Sequence, residues 1–290
     1  MQIPLQKIAI IGAKGMLGRD LCRVFGPDHE LLAWDLEQID ITDRLGTVDA
    51  LSQARPDLII NAAAFVDLER CETEADMAWK VNAVGAQNLA IAARQLDCQL
   101  VYISSDYIFD GESDLDYDET AVPGPLNHYG KSKLAGEQLS LQNCPKTYSL
   151  RTAWLFGHAP KNYVQRVLDA ADTNGVVRMP TDQIESPTYT IHLAEAMAEL
   201  VETGAYGIYN VTSLQACTRF EFAKFVMSQA GRDEPVEAVD PQTIQRTTPR
   251  PARSVLDCRL FQLVTGHPLP HWPQGIRDYF ANCETFKLEA

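Results

Sequence analysis

The stretch Lys7–Gly18 (KIAIIGAKGMLG) determines the fold class. It begins with a short apolar run, which is typical of a strand buried on both faces, and continues into three glycines. Glycines at such a turn let backbone N–H groups approach a pyrophosphate at the N-terminus of the next helix. A tight turn without a ligand is the alternative interpretation. We predict a dinucleotide-binding turn formed by Gly12, Gly15, Met16, Leu17 and Gly18.

Strand patterns alternate with helix patterns along the first half of the chain. After Lys7–Ala13, short apolar runs predict strands at Glu30–Asp35, Asp57–Ala64, Gln99–Ser105 and Thr147–Trp154. Helical spacing or alanine-rich sequence predicts helices at Met16–Phe25, Glu74–Leu96 and Leu126–Leu141. This alternation predicts an α/β fold with a doubly wound parallel sheet.

The pattern loosens after Trp154, and prolines concentrate in the tail. Shorter helices or strands are predicted at Asn162–Asp172, Val176–Met179, Thr188–Glu202, Gly207–Val211, Cys258–Val264 and Gln274–Asn282. A capping box at Thr218–Glu221 predicts a further helix that runs to about Ala230. We therefore predict a dinucleotide-binding domain over residues 1–155, with 186–213 returning to it, and a smaller substrate-binding lobe over 156–185 and 214–290.

Composition excludes several classes of function. The chain of 290 residues carries 39 acidic and 25 basic residues, a net charge of −14, which disfavours nucleic-acid and membrane binding by general electrostatics. No apolar run approaches the roughly 20 residues that cross a bilayer, and Met1–Lys7 shows no secretory signal. Seven scattered cysteines without a Cys-x-x-Cys motif predict reduced thiols in a cytoplasmic protein, with no metal site.

Six further residues are candidates for holding a dinucleotide. Asp35 ends the second strand, where a carboxylate can bond a ribose 2′-hydroxyl and repels a 2′-phosphate. It favours NADH, although nearby groups could offset one carboxylate, so NADPH stays open. Asp40 and Ile41 are expected at the adenine, with a solvated loop acid as the equal alternative for Asp40. Small residues after the third strand, at Ala62, Ala63 and Ala64, permit close backbone approach to a cofactor or to a helix.

A possible acid–base site combines a strand end with a helix. Tyr129 and Lys133 are four residues apart, so on a helix they share one face. A phenol has an ordinary pKa of about 10, and a neighbouring cation is expected to lower it. Ser105 ends the fourth strand, at the edge where open α/β sheets bind ligands. We predict that Ser105 polarises a carbonyl group, that Tyr129 donates a proton, and that Lys133 lowers the tyrosine pKa and binds the nicotinamide ribose.

One segment has the opposite charge balance to the rest of the chain. Between Gln242 and Arg259, four arginines (Arg246, Arg250, Arg253 and Arg259) accompany a single acid, Asp257. This basic segment is consistent with an anionic ligand, and equally with a solvated loop of scattered charge.

Together these motifs resemble the extended short-chain dehydrogenase/reductase superfamily, and within it the dTDP-4-dehydrorhamnose reductase family. The resemblance extends over nearly the whole chain in family order. The matching segments are Gly12–Gly18, Asn61–Ala64, Ser104–Gly111, Pro125–Glu137, Arg151–Trp154, Thr181–Gln183, Ser186–Thr188 and Arg250–Asp257. Members more often have threonine where this chain has Ser105, and both residues carry the hydroxyl.

The resemblance implies NAD(P)H-dependent reduction of the 4-keto group of dTDP-4-dehydrorhamnose, giving dTDP-L-rhamnose. It makes Ser105, Tyr129 and Lys133 the catalytic residues, and it places Ser105, Asp106, Trp154 and Arg253 on the substrate side. The diphosphate of such a nucleotide sugar suits arginines, which bond it in a bidentate manner. Some members bind magnesium at a dimer interface close to the position of Asp20. We predict no metal here and leave open whether the chain forms a homodimer.

Two alternatives come from related proteins. The regulatory beta subunit of methionine adenosyltransferase looks similar, including its Ser-Ser-Asp-Tyr stretch, but serves as a cofactor-binding partner. The Arg151–Trp154 stretch favours the reductase instead. A nucleotide-sugar epimerase or dehydratase of the same superfamily is the second alternative, but a dehydratase requires an acidic pair where this chain has Asp106 followed by Tyr107.

Overall fold

Twelve strands and eleven helices build the chain in the computed structural model, which describes residues 5–159, 162–240 and 247–287. The strands are β1 (Lys7–Ile11), β2 (Glu30–Trp34), β3 (Leu58–Asn61), β4 (Gln99–Ile103), β5 (Thr147–Arg151), β6 (Leu155–Phe156), β7 (Val177–Pro180), β8 (Ile184–Glu185), β9 (Thr188–Tyr189), β10 (Gly207–Asn210), β11 (Cys217–Thr218) and β12 (Val236–Val239). The helices are α1 (Met16–Phe25), α2 (Arg44–Ala54), α3 (Leu68–Thr73), α4 (Ala75–Trp79), α5 (Ala86–Leu96), α6 (His128–Asn143), α7 (Tyr163–Asn174), α8 (Thr190–Thr203), α9 (Arg219–Gln229), α10 (Arg259–Thr265) and α11 (Trp272–Lys287).

Six strands pair in a single parallel sheet with the order β10-β5-β4-β3-β1-β2. The strand order reverses between β1 and β3, because β2 lies on one side of β1 and the next strand, β3, lies on its other side. Such a switch point opens a crevice beyond the carboxyl ends of the strands. The predicted doubly wound α/β fold is therefore confirmed.

Helices cover both faces of this sheet, and the alternation of side chains along β1 shows how. Ile8 and Ile10 face a core that α1 and α8 complete with residues such as Leu21 and Met197. The alternate residues of β1 face a second core, which α2 and α5 complete. Burial on both faces explains why the central strands are uninterrupted apolar runs in the sequence.

A second, smaller lobe has its own aromatic core. Phe156, Tyr189, Phe222 and Trp272 are buried there, between α7, α9 and α11. Three two-stranded sheets (β11 with β8, β12 with β7, and β6 with β9) accompany these helices. β10 is part of the large sheet beside β5, and α8 packs against α1. The domain boundaries given above remain a prediction.

Several predicted boundaries differ from the structure in an informative way. Strands β3, β4 and β5 end two or three residues earlier than the apolar runs do, because the chain leaves the sheet where it lines the crevice. The helix predicted over Glu74–Leu96 contains a π-helical turn at Lys80–Gly85. Helices α2 and α3 had no strong sequence pattern and were not predicted.

A buried ion pair attaches α6 to the sheet. Arg151 of β5 donates from Nη2 to Glu137 Oε1 at 2.7 Å and from Nε to Oε2 at 3.1 Å. The Ser149 hydroxyl donates to the same carboxylate at 3.1 Å, and the two charged side chains are 3% and 2% exposed. Geometry of this kind satisfies both charges, so the removal of one partner leaves the other buried without compensation.

We expect Arg151→Ala to lower the free energy of unfolding by about 3–5 kcal/mol, because Glu137 then stays buried without its cation. Chemical denaturation monitored by circular dichroism measures the loss. Arg178→Ala is the matched control, since Arg178 pairs with Glu237 on the surface and should change stability by about 1 kcal/mol at most. A loss for Arg151→Ala no larger than that of the control would contradict the structural role of the pair.

Candidate active site

The glycine turn after β1 has the backbone that a dinucleotide requires. Gly12 has φ of +83°, and a Cβ at this position would lie 2.7 Å from the Ala63 nitrogen, so a larger residue is excluded. Helix α1 follows with Gly15 at its N-cap, and among the described residues no side chain caps it. Its first N–H groups are therefore free to bind an anion, which fits a pyrophosphate.

A cavity of about 480 Å³ lies beside this turn. Asp35 borders it and accepts hydrogen bonds from the Lys14 N–H at 2.9 Å and from the Leu36 N–H at 2.9 Å. The Lys14 ammonium lies 2.6 Å from the Glu37 carboxylate, so a cation stands close to Asp35. The other predicted cofactor residues that line this cavity are Gly12, Gly15, Asp40, Ile41, Ala62, Ala63 and Ala64.

A second cavity, of about 450 Å³, adjoins the first and shares Gly15 and Ala62–Ala64 with it. All three predicted catalytic residues line it, and so do most of the other candidates. Besides the shared residues, the predicted site residues that line it are Met16, Leu17, Ser105, Asp106, Tyr129, Lys133 and Trp154. Gly18 borders neither cavity within the described part of the chain, because it packs tightly against the Gly12 carbonyl. The two cavities together form one elongated cleft along the carboxyl edge of the sheet.

Helix α6 begins in the geometry that directs Tyr129 into the cleft. Asn127 is its N-cap, accepts from the Gly130 N–H at 2.8 Å and donates to the Pro249 carbonyl at 2.9 Å. A Cβ at Gly130 would lie 2.1 Å from the Tyr107 carbonyl oxygen, so only glycine lets the helix come this near to the turn after β4. The sequence thus brings the first turn of α6 against the residues that follow Ser105.

The structure does not support the predicted role of Lys133, which was to lower the pKa of Tyr129. Its ammonium donates to the Ile103 carbonyl and lies 4.4 Å from the centre of the Tyr102 ring. Burial lowers the pKa of Lys133 from 10.5 to about 7, although Glu137 opposes the change. Burial raises the pKa of Tyr129, with Asp106 adding to the rise and the hydrogen bond with Ser105 opposing it. The predicted direction for Tyr129 is therefore wrong, because desolvation is the largest influence on its pKa.

Ser105 lies next to a buried acid. Its hydroxyl donates to Asp106 Oδ1 at 3.1 Å and accepts from the Tyr107 N–H at 3.2 Å. Asp106 is 1% exposed and also receives the Ser254 hydroxyl on Oδ2 at 2.5 Å. Burial, and then the nearby Glu185 carboxylate, raise the pKa of Asp106 well above its ordinary value of 3.8.

Asn82 is a residue behind the site that supports it and that the sequence pattern did not reveal. It lies in the π-helical turn, where it accepts from the Phe65 N–H at 2.8 Å and donates to the Phe65 carbonyl at 2.9 Å. Its amide also donates to the Ser132 hydroxyl at 3.0 Å, which joins the loop after β3 to α6. Interrupted helical hydrogen bonding of this kind is common at functional sites. An alanine-rich helix without proline gives no signal for it.

Glu185 and Arg219 also line the second cavity and were not predicted. Arg219 Nη2 donates to the Glu185 carboxylate at 3.1 Å and 3.4 Å, and the guanidinium lies 4.4 Å from the centre of the Trp154 ring. Trp154 has φ of +40°, a strained value for a bulky residue. The pair packs on the indole and holds it at the cavity wall. Glu185 and Arg219 are 34 positions apart, so sequence spacing could not suggest their contact.

The basic segment is largely neutralised by acids of the chain. Arg253 contacts Asp116, Arg259 contacts Asp257, and Arg250 lies 3.7 Å from Glu69. Arg246 lies outside the described residues. Arg253 borders a third cavity of about 280 Å³, together with Asp116 and Ser213, and does not line the cavity of Tyr129 in the described part of the chain. Its role in binding substrate stays a prediction.

Metal and membrane features were searched over residues 5–159, 162–240 and 247–287. Within these ranges, no three His, Cys, Asp or Glu residues form a group that could hold a metal ion. Asp20 is buried and bonds to Thr190 at 2.5 Å and to Arg23 at 2.7 Å. In the same ranges, no helix is both long and apolar enough to span a bilayer. In the described part of the chain, no disulfide joins any of the seven cysteines.

Known proteins resemble this chain over nearly its full length. The family model described as "RmlD substrate binding domain" matches residues 6–285. The spore coat polysaccharide biosynthesis protein SpsK of Bacillus subtilis is 35% identical, over 95% of this chain and 97% of that protein. The dTDP-4-dehydrorhamnose reductase of Aggregatibacter actinomycetemcomitans is 32% identical, over 97% and 100%. The dTDP-4-keto-6-deoxy-D-glucose reductase of Streptomyces niveus is 34% identical, over 93% and 95%.

Solved structures give the same result. A dTDP-4-dehydrorhamnose reductase from Clostridium acetobutylicum superimposes with a TM-score of 0.94 at 32% identity, over 96% of this chain and 100% of the other. The Bacillus anthracis reductase, solved in complex with NADP, has a TM-score of 0.93 at 33% identity, over the same shares. The resemblance stated from the motifs is confirmed: the chain belongs to the dTDP-4-dehydrorhamnose reductase family of NAD(P)H-dependent oxidoreductases, within the extended short-chain dehydrogenase/reductase superfamily.

Proposed function

We propose that this protein reduces the 4-keto group of a dTDP-4-dehydro-6-deoxyhexose with NADPH or NADH. The favoured substrate is dTDP-4-dehydrorhamnose, which gives dTDP-L-rhamnose. The observation that carries the proposal is the common cavity of Ser105, Tyr129 and Lys133, which adjoins the glycine turn. Relatives named as dTDP-4-dehydrorhamnose reductases, which match nearly the whole chain, support this choice of substrate.

The cleft fits a dinucleotide from end to end. The uncapped start of α1, beside Gly12 and Gly15, would hold the pyrophosphate. Asp35 would bond the adenosine ribose, while Asp40 and Ile41 border the space for the adenine. Ala62–Ala64 line both cavities, and their small side chains leave room for the cofactor to extend from one to the other. A bound reduced nicotinamide would supply the hydride, and the Bacillus anthracis relative holds NADP.

The residues of this chain would supply the proton and orient the ketone. Tyr129 keeps its proton across the neutral range because burial raises its pKa, which makes it a donor to a ketone oxygen that gains negative charge. Ser105 would donate a second hydrogen bond to the same oxygen. Lys133 would leave the Ile103 carbonyl for the ribose hydroxyls of the nicotinamide half, where a cation also stabilises a phenolate on Tyr129.

One relative suggests a second candidate substrate. The Streptomyces niveus protein is named a dTDP-4-keto-6-deoxy-D-glucose reductase and is about as similar to this chain as the dehydrorhamnose reductases are. Trp154, which Arg219 holds at the cavity wall, would contact the sugar and is our candidate for the residue that distinguishes the two substrates. An assay of both sugars under identical conditions, by the loss of reduced-nicotinamide absorbance, decides between them.

The non-catalytic alternative is less well supported. A partner subunit like the methionine adenosyltransferase beta subunit requires the cofactor cleft but no acid–base pair, and here the hydroxyl, phenol and lysine all face one cavity. Cofactor binding without consumption of either keto sugar would favour that alternative. A cytoplasmic location completes the proposal as an expectation, and the formation of a homodimer stays open.

Replacement of Tyr129 by Phe tests the proton donor. Turnover should fall by about 10²–10⁴-fold, the usual contribution of general acid–base catalysis, while NADPH affinity stays near that of the wild type. Steady-state assays and fluorescence titration measure the two quantities. Tyr206→Phe removes a phenolic hydroxyl that borders neither cavity and should be neutral. Turnover of Tyr129→Phe at the wild-type rate would remove Tyr129 from this role.

Asp35→Asn tests the origin of cofactor preference. Removal of the charge should raise kcat/KM for NADPH relative to NADH by about tenfold or more, because a carboxylate repels a 2′-phosphate and a charged hydrogen bond contributes about 1.5–3 kcal/mol. The ratio of the two kcat/KM values is the readout. Asp49→Asn, on the exposed surface of α2, should leave that ratio unchanged. An equal ratio of the two kcat/KM values in the Asp35 variant and the wild type would show that Asp35 does not distinguish the two cofactors at the ribose.

Stability against pH tests the burial of Lys133. Below pH 7 both states hold the proton and the cost of burying the ammonium is fully present. Between about 7 and 10.5 the unfolded chain keeps a proton that the folded protein has lost, so stability rises with pH by up to about 1.4 kcal/mol per pH unit. Lys133→Met should lack this rise, and groups common to both proteins cancel when the two pH profiles are subtracted. Parallel profiles for the two unliganded proteins between pH 7 and 10 would refute the assignment.

A further inference from the structure

The wall of the second cavity comes from both lobes. It shares Gly15 and Ala62–Ala64 with the first cavity, so a dinucleotide would reach the second cavity past these residues. The smaller lobe contributes a charged pair, Glu185 of β8 and Arg219 of α9, beside Trp154. Neither charged residue borders the first cavity. The pair is therefore placed to face the sugar and not the cofactor.

The backbone of the smaller lobe brings the two charged residues together. β8 pairs with β11 in antiparallel register, and Glu185 lies opposite Cys217. The next residue, Thr218, caps α9 through a capping box with Glu221, so the helix begins at Arg219. Strand register and helix cap together fix Arg219 next to Glu185.

The two oxygens of the Glu185 carboxylate are engaged unequally. Oε1 accepts from Gln183 Nε2 at 3.3 Å and from Arg219 Nη2 at 3.1 Å. In the described part of the chain, Oε2 takes only a longer contact of 3.4 Å with the same Arg219 nitrogen. An ionised carboxylate has about four acceptor sites. Oε2 therefore has capacity for a further hydrogen bond.

Stability does not explain why a charged pair lies at this wall. The Glu185 and Arg219 side chains are 2% and 12% exposed, and the guanidinium lies 5.0 Å from the centre of the Tyr163 ring. Apolar residues of similar size are often at least as stabilising as a buried ion pair. Arg219 Nε and Trp154 Nε1 are also buried without a hydrogen-bond partner among the described residues, which is uncommon in folded proteins. A role in ligand recognition accounts for this polar wall.

The chemistry of the wall indicates which group of the sugar it would bind. Arg219 is already paired with Glu185, so it is not available to an anionic substituent. The open acceptor site on Glu185 requires a neutral donor, and a hydroxyl group is one. In a dTDP-4-keto-6-deoxyhexose, C1 carries the diphosphate, C4 carries the ketone, C5 carries the ring oxygen and C6 carries no oxygen. The hydroxyl groups on C2 and C3 are thus the donors that the sugar offers.

We propose that Glu185 accepts a hydrogen bond from the C2 or C3 hydroxyl of the sugar and thereby selects the substrate, while Arg219 positions the carboxylate. The inference rests on the reductase function proposed above. The protein then favours 4-keto-6-deoxy sugars that keep this hydroxyl over their 2-deoxy or 3-deoxy counterparts. A site built to bond a hydroxyl discriminates strongly against an analogue that lacks it, because the polar group of the site is left unpaired.

Sugars that lack one hydroxyl test the selection. Wild-type kcat/KM for the hydroxylated 4-keto sugar should exceed that for the 2-deoxy or the 3-deoxy counterpart by about 10–100-fold, the usual effect of a hydrogen bond to a charged group. The poorer analogue identifies the hydroxyl. Glu185→Leu combined with Arg219→Met removes both charges, so neither stays buried alone, and the ratio should approach one.

The control removes an ion pair on the surface of the same lobe. Arg178→Gln combined with Glu237→Gln should leave the ratio of kcat/KM values at its wild-type level. A purely structural role for the Glu185–Arg219 pair would lower turnover of all sugars alike and leave the ratio unchanged in the double variant. That result, or a wild type that reduces both deoxy analogues as efficiently as the hydroxylated sugar, would overturn the inference.

Binding of dTDP-L-rhamnose to the NADP-loaded full chain tests the contact without turnover. In Glu185→Gln the amide oxygen can stay with Arg219 while the amide nitrogen cannot accept, and the shape of the side chain is kept even if the double variant fails to fold. Calorimetry should show about tenfold or more weaker binding of dTDP-L-rhamnose and unchanged binding of dTDP. If the wild type reduces neither keto sugar but this difference is present, the proposed function fails and the sugar contact stands. Equal affinity of Glu185→Gln and wild type for dTDP-L-rhamnose would refute the contact.

Discussion

The close docking of α6 against the end of β4 is the constraint on which the site depends. Gly130 brings the helix start to the Tyr107 carbonyl, and a Cβ at Gly136 would lie 2.0 Å from the Asn82 carbonyl oxygen, so both positions require glycine for the helix to come this close. The Tyr102 hydroxyl donates to the Lys133 carbonyl at 3.0 Å, which ties the middle of α6 to β4. This docking is what turns a Tyr-x-x-x-Lys spacing into a phenol and an amine that line one cavity.

The cofactor cleft and the acid–base residues are parts of a single hydrogen-bonded unit. Asn82 connects the loop after β3 to Ser132, whose own hydroxyl donates to the Tyr129 carbonyl at 2.8 Å. The wall that a dinucleotide would touch and the residue that would protonate the substrate therefore share one polar network. Satisfied buried networks of this kind are rigid, which suits a reaction that requires close alignment of donor and acceptor.

Local features of the site could be predicted from the sequence, and tertiary ones could not. The glycine turn and the shared helix face of Tyr129 and Lys133 depend on backbone geometry over only a few residues, so the motifs were sufficient to predict them. The contact of Asp106 with Ser254 joins residues 148 positions apart, and that of Glu185 with Arg219 crosses from one small strand to a helix. The direction of the Tyr129 pKa was mistaken for the same reason, because a sequence shows the neighbouring lysine but not the burial of both groups.

The central claim concerns where the phenol and the lysine stand when the cleft is filled, and a crystal structure with NADP and a dTDP-sugar product tests it most directly. We expect Tyr129 Oη and Ser105 Oγ within hydrogen-bonding distance of the sugar O4, the nicotinamide C4 facing the sugar C4, and Lys133 Nζ on the ribose hydroxyls. A nicotinamide ring outside the cavity of Tyr129, or a sugar O4 bound by other residues while Lys133 stays on the Ile103 carbonyl, would contradict the account.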